Sequence, residues 1–420
     1  MRRLLASGLV LLMFLSVTTV AETANEPLGW ATSGGGYKED SIAGHVVLDN
    51  DSIVVAGKFT NGILFDDYGL GSVGANGDSD AYFAVANSSG NWTSAIGFGS
   101  PGDDGIDAIA LHPSGDIFVV GHFCLSTAGL ECEMNVSSFN LVKGEQNGEG
   151  DAFIGRFSLI NNTIAPIWLR VISNQGDIFG FDISISPNGG VTAGIFHTGN
   201  IDIDGQILEG SESINLGILH YDENGAIQWI NSIISQSGIE NFGGMCYSSD
   251  GFLHVTGTFF GSVDFIERTD SVGGADIFVA QIDGDGNFTW ASFAGGTGEE
   301  WANDCVVDST GKIHIVGQFE DTANFGFITA TSNGSGEASI SLSATGETFT
   351  NTDDWIVGTD SDVYLNASIS GTGSTSATLT GLPASQAVEI LGYVNKSEAS
   401  IKTKTLTQRA ITVSIDSDGN

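Results

Sequence analysis

Apolar positions fall into short runs that recur at near-constant spacing. One run ends in Gly-x-Phe and appears five times: IVVAGKF (53–59), IFVVGHF (117–123), VTAGIF (191–196), LHVTGTF (253–259) and IHIVGQF (313–319). Each follows a polar turn such as HPSGD, SPNGG, SSDG or DSTG. After most comes a further apolar run, seen as DAYFAVA (80–86), DAFIGRF (151–157) and DIFVAQID (276–283), then a Gly- or Asn-bearing turn and a strand marked by Trp. Trp30, Trp92, Trp168, Trp229 and Trp290 lie 62, 76, 61 and 61 residues apart, the long interval holding the additional segment 124–150.

Each unit therefore predicts four short strands rich in Val, Ile, Phe and Trp, divided by residues that tolerate tight turns, with no helical stretch between them. A four-stranded antiparallel sheet of this kind has two apolar faces and cannot cover both alone. Packing such sheets around an axis covers them, so the expected fold is all-β, a β-propeller of four-stranded antiparallel blades with about five in view. A linear solenoid is the competing arrangement, although its repeats are usually shorter.

The ends of the chain read differently. Arg2 and Arg3, the apolar run Leu4 to Val17 and Thr19-Val20-Ala21 make residues 1–21 a secretory signal peptide, too short to span a bilayer. Repeats occupy 26–326, a Ser/Thr/Gly-rich β insertion 327–402, and a final propeller strand and turn 403–420. The last segment, RAITVSIDSDGN, stops where a Trp strand is due. Two readings stay open: the N-terminal Trp30 strand completes that sheet and closes the ring, or the chain is truncated and further blades follow.

The block WASFAGGTGEEWANDCVVDSTGKIHIVGQF (290–319), with GGADIFVAQIDGDGNFTW (273–290), resembles the SBBP-type β-propeller repeat of secreted and cell-surface proteins of bacteria and archaea. The likeness covers 29–326 and 405–420, weakest in the third unit, where SINLGILHYDENG replaces the Asp-aromatic strand. It implies an extracellular display or binding scaffold and supplies no common catalytic set.

Charge narrows the partners. With 51 Asp and Glu against 13 Lys and Arg, the net charge is -38, which excludes a nucleic-acid binder that must neutralise phosphates. Hydrophobic residues at 41% exclude a disordered acidic tail, so the acid is a surface property. No segment after the signal peptide reads as a membrane span. Four cysteines are too few for a disulfide scaffold: Cys124 and Cys132 read as a local disulfide, while Cys246 and Cys305 read either as a bond between successive units or as two buried thiols. Nine N-x-S/T sequons, at Asn50, Asn87, Asn91, Asn135, Asn161, Asn287, Asn333, Asn366 and Asn395, suit a glycosylated extracellular surface.

Candidate chemistry is sparse. Asp283 with Asp285, and Asp416 with Asp418, form D-x-D-G-N, which opens like a calcium loop but lacks a third oxygen residue and the downstream bidentate Glu. Hairpin-turn chemistry accounts for the spacing, with calcium as the alternative. Acids about ten residues past each Trp, at Glu39 and Asp40, Asp103 and Asp104, Asp177, Glu240, and Glu299 and Glu300, predict either a ring open to cations or a basic partner, or side chains capping their own turns. His254 and His314 share one place in the repeat and read as strand residues with one hydrogen bond each, or as a shared metal pair. No catalytic residues emerge and no cofactor beyond calcium.

The function expected is a non-catalytic scaffold for binding, adhesion or display, its partner an extracellular protein or glycan. Two alternatives remain. One is a calcium- or glycan-binding lectin-like module. The other is a quinoprotein-like dehydrogenase, because YDENGAIQW (221–229) and IDGDGNFTW (282–290) resemble the tryptophan-docking turns of quinoprotein propellers.

Overall fold

A computed structural model describes residues 31–332 except 74–77, 126–130, 145–149, 174–175, 177, 266–267 and 326–327. Past Ser332 it describes backbone strands only, within 338–415. The signal peptide and Trp30 lie outside the described residues, and so do Asp416 and Asp418 of the last turn.

The described chain is all-β and built from antiparallel sheets. Four strands make each of the first four units. The first sheet is Asp40–Val47, Ile53–Thr60, Ser79–Ala86 and Trp92–Phe98; the second is Asp103–Leu111, Ile117–Leu125, Asp151–Ile160 and Thr163–Ile172. The third is Ile178–Ile185, Val191–His197, Asn215–Tyr221 and Ile227–Ser235; the fourth is Ile239–Tyr247, Leu253–Phe259, Asp276–Ile282 and Phe288–Gly296. A fifth begins with Glu300–Val307 and Ile313–Phe319 and takes Ile411–Ile415 as its third strand. Beside that strand, Ile390–Asn395 runs parallel.

Burial explains the continuous apolar runs. All eight residues of Ser79–Ala86 are buried, as are all seven of Leu253–Phe259 and of Asp276–Ile282. A strand buried on both faces loses the alternation of a half-wet strand and reads as one apolar block. The cover comes from neighbouring sheets, whose first strands touch in succession, first to second, second to third, third to fourth and fourth to fifth. At one such contact Asp182 Oδ2 accepts the Met245 N–H at 2.6 Å.

Trp residues join the sheets at their outer ends. The Trp168 indole of the second sheet lies on Gly225 of the third sheet's turn, and Trp229 of the third lies on Gly286 of the fourth. Trp168 Nε1 also donates to Glu223 O at 2.9 Å. Both glycines have positive φ, 79° and 87°, and a Cβ there would fall 2.8 and 2.7 Å from the indole.

Between the second and third strands of every unit sits a small hairpin, at 62–71, 133–142, 201–208, 262–270 and 322–332. Three of them pair backward: the 262–270 hairpin with the end of Ile227–Ser235, the 322–332 hairpin with Gly295 and Gly296, and the 62–71 hairpin with Gly35–Gly36. These hairpins are too short and too polar to stand out in the apolar pattern.

Both disulfides form. Cys124–Cys132 closes a local loop, and Cys246–Cys305 ties the first strand of the fourth sheet to that of the fifth. Such bonds are compatible with an extracellular protein. No helix among the described residues is long and apolar enough to cross a membrane.

Candidate functional site

Every first strand carries a register shift at the same level, after Ile42, Ile106, Gly180, Phe242 and Ala302. A bulge of this kind adds one residue and re-aims its side chain. The residues so placed are Ala43, Asp107, Phe181, Gly243 and Asn303, of which Asp107 is the acid. Beside the repeat Gly that borders each bulge is the variable slot of Gly-x-Phe, filled by Lys58, His122, Ile195, Thr258 and Gln318, which pair with Ser41, Gly105, Gly180, Asn241 and Trp301.

In the second sheet the bulge and the slot meet. His122 Nδ1 lies 2.8 and 2.9 Å from the two Asp107 oxygens. Phe179 stands edge-on to the imidazole, 6.2 Å between centroids. Two glycines make the room: a Cβ on Gly105 would meet His122 Cε1 at 2.8 Å and Lys58 Cδ at 3.3 Å, and one on Gly180 would meet Asp107 Oδ2 at 2.9 Å. Lys58 of the first sheet and His122 of the second therefore share one glycine.

These residues line a cavity of about 820 Å³ to which the first four sheets contribute. Its wall is apolar along Phe179, Phe196 and Ile214 and charged at Lys58, Asp107 and Glu212. His197 lines it too, 1% exposed, with burial pushing its pKa down to about 4. It is neutral near pH 7. Its Nδ1 donates to Gly199 O at 2.9 Å, which leaves Nε2 an acceptor without a donor among the described residues. A cavity of this size suits a small ligand with an apolar face and several hydroxyl or charged groups.

The residues singled out in the sequence are placed elsewhere. Of the four aspartates expected as a calcium alternative, Asp283 and Asp285 share one hairpin turn, while Asp416 and Asp418 lie outside the described residues. Asp283 Oδ1 accepts from its own turn, at 3.0 Å from Asp285 N and 2.8 Å from Asn287 N, and these bonds lower its pKa. Asp222 and Asp308 likewise accept from main-chain N–H groups of their own turns. No group of three or more His, Cys, Asp or Glu among the described residues is arranged to hold a metal ion.

Three of the acids past each Trp cap locally, Asp40 accepting from Gly36 N at 2.6 Å, Asp104 from Ser100 N at 2.6 Å and Glu300 from Gly296 N at 2.8 Å, whereas Asp103 accepts from Ser79 N of the neighbouring sheet at 2.8 Å. Asp177 and the side chain of Glu240 lie outside the described residues. His254 and His314 have separate partners, Gln281 Nε2 at 3.0 Å and Asp308 Oδ2 at 2.9 Å.

Lys58, Asp107, His122, His197 and Glu212 were not apparent from motif spacing. The available signal, for Lys58 and His122 alone, was the one slot that changes within an otherwise constant Gly-x-Phe.

No family model matches this sequence, and no curated protein does. Among solved structures, a luciferin-regenerating enzyme is similar at 10% identity and a TM-score of 0.26, over 72% of this chain and 92% of that one. Puromycin hydrolase, as an S511A mutant complexed with PGG, has the same identity and TM-score over 72% of this chain and 52% of its own. The extracellular domain of a one-component system from B. thetaiotaomicron shares 10% identity over 85% of this chain and 74% of its own, with a TM-score of 0.14. Likenesses this distant bear on neither residues nor activity.

Proposed function

We propose that this chain is a secreted or surface-exposed β-propeller of SBBP type that binds an extracellular glycan without catalysis, in the cavity shared by its first four sheets. The observation that carries the reading is the make-up of that cavity. Phe179 and Phe196 offer apolar surface to a sugar ring, while Lys58, Asp107 and Glu212 offer partners to hydroxyls. The consecutive contacts of first strands and the indole-on-glycine joints support the radial arrangement, with five blades in this chain.

A glycan array probed with the purified protein, with and without calcium, tests the reading. Binding is expected to persist in chelator, because Asp283 is engaged by its own turn. It should weaken about tenfold or more in Lys58→Ala and in Glu212→Ala, the loss of roughly one charge-assisted hydrogen bond. An array without hits would leave the scaffold role alone, and variants that bind as wild type does would put the binding outside this cavity.

A further inference from the structure

Buried carboxyls also meet at the joints between sheets. Asp276 begins a third strand of the fourth sheet and Glu300 begins the first strand of the fifth. They are 4% and 0% exposed. Each gives one oxygen to a main-chain N–H, Asp276 Oδ2 to Val272 at 2.6 Å and Glu300 Oε2 to Gly296 at 2.8 Å. The two carboxyls converge on the Gly295–Gly296 pair, Asp276 against Gly295 and Glu300 on Gly296 N, and Asp276 Oδ1 and Glu300 Oε1 meet no donor among the described residues. Two acceptors held together in a dry joint require a proton between them. Gly295 permits the approach, since a Cβ there would collide with the Asp276 carboxyl.

The first joint also buries two carboxyls, but there Asp104 is fully engaged, Oδ2 accepting from Ser100 N at 2.6 Å and Oδ1 from Cys124 N at 2.9 Å and Ser100 Oγ at 2.8 Å. Asp80 begins the third strand of the first sheet and Asp104 lies at the start of the second sheet's opening strand, 1% and 0% exposed. Gly99 stands between them: a Cβ would collide with Asp80 Oδ1 and fall 3.1 Å from Asp104 Oδ2. Asp80 Oδ1 again meets no donor among the described residues. At the third joint the equivalent residue is Asn215, an amide with the shape of a protonated acid, and its Nδ2 donates to Ser213 O at 2.7 Å.

We propose that a shared proton latches the joint between the fourth and fifth sheets, so that this joint tightens in acid and loosens as the pH rises. Burial is the main cause acting on every member: it pushes Glu300 up to about 8, Asp104 to about 7 and Asp80 to about 6, and raises Asp276. No cation among the described residues acts on these four carboxyls, although Lys58 and His122 lie against Gly105, next to Asp104. Around Glu300 are the main-chain N–H groups of Gly296 and Glu320, and around Asp80 the carboxylates of Asp78 and Asp103 add repulsion. A carboxyl raised from about 4.3 in the unfolded chain binds more protons folded than unfolded. Its contribution is complete below that value and is lost as the pH rises through the folded pKa, for Glu300 about 8.

Thermal unfolding of the full chain between pH 5 and 9 tests the latch. The wild-type midpoint should fall across this interval. Glu300→Gln places a permanent N–H donor at the pair, and Asp276→Asn is the reciprocal change. At least one should melt above wild type at pH 8.5, by about 2 °C or more, with the advantage gone at pH 5. The latch is overturned if both variants melt at or below wild type at pH 8.5, or if the wild-type midpoint stays flat or rises with pH. Calcium chloride at about 10 mM (roughly tenfold above the weakest extracellular calcium sites) should leave the wild-type midpoint at pH 8.5 unchanged. A rise as large as that of either variant would show that a cation fills the joint, and would also overturn the proposal.

Discussion

At the scale of single residues, the repeat uses Gly and Trp as one device. Gly225 and Gly286 combine positive φ with an indole close enough to exclude a Cβ, whereas Gly311 has φ 84° with nothing within 4 Å. Gly286→Ala should therefore cost about 2 to 4 kcal/mol, and Gly311→Ala only the backbone share of about 1 kcal/mol. Denaturant titration of the two variants separates the cost of the indole contact from that of φ; equal losses would mean that the indole moves aside. Trp was the plainest sequence marker because this contact recurs. The partner glycines were visible only as turn residues, since the contact is made across units rather than within one.

At the scale of elements, the main strands were legible because a strand buried on both faces gives an unbroken apolar run. Register was not. The bulges that set out Asp107 and Asp104 insert one residue into strands whose composition looks regular, so the site they build had no linear signature. The pairing of Cys246 with Cys305 was left open in the sequence because matching positions in two repeats give no distance. Its loop of 59 residues predicts a contribution of about 4 kcal/mol, against about 2 to 3 kcal/mol for the eight-residue Cys124–Cys132 loop. Replacing each pair by Ala and comparing unfolding midpoints should rank Cys246–Cys305 as the more costly loss. The reverse order would indicate that the fourth and fifth sheets hold together without the bond.

At the scale of the whole molecule, order along the chain becomes order in space: each first strand touches the next. Periodicity alone made that succession legible, because a sheet apolar on both sides must be flanked. The cavity was not legible, since its lining comes from sheets more than a hundred residues apart and depends on which side of each strand faces inward. A net charge of -38 acts on the same scale. Like charges repel most in the compact state and salt screens them, with a Debye length of about 30 Å at 0.01 M and about 10 Å at 0.1 M. The unfolding midpoint should therefore rise by several degrees from 0.01 to 0.5 M sodium chloride at about pH 7; a midpoint that falls would point to dominant ion pairs.

The backward-pairing hairpins give the chain a direction. A strand edge left bare invites pairing with another molecule, and here the cover for one sheet's edge is encoded in the sheet that follows. Shortening from the two ends is therefore not equivalent. Cutting away the fifth unit strips Gly295 and Gly296, on the last main strand of the fourth sheet, of their covering hairpin, whereas cutting away the third leaves that strand covered and bares only Val263 and Asp264 of the fourth unit's small hairpin.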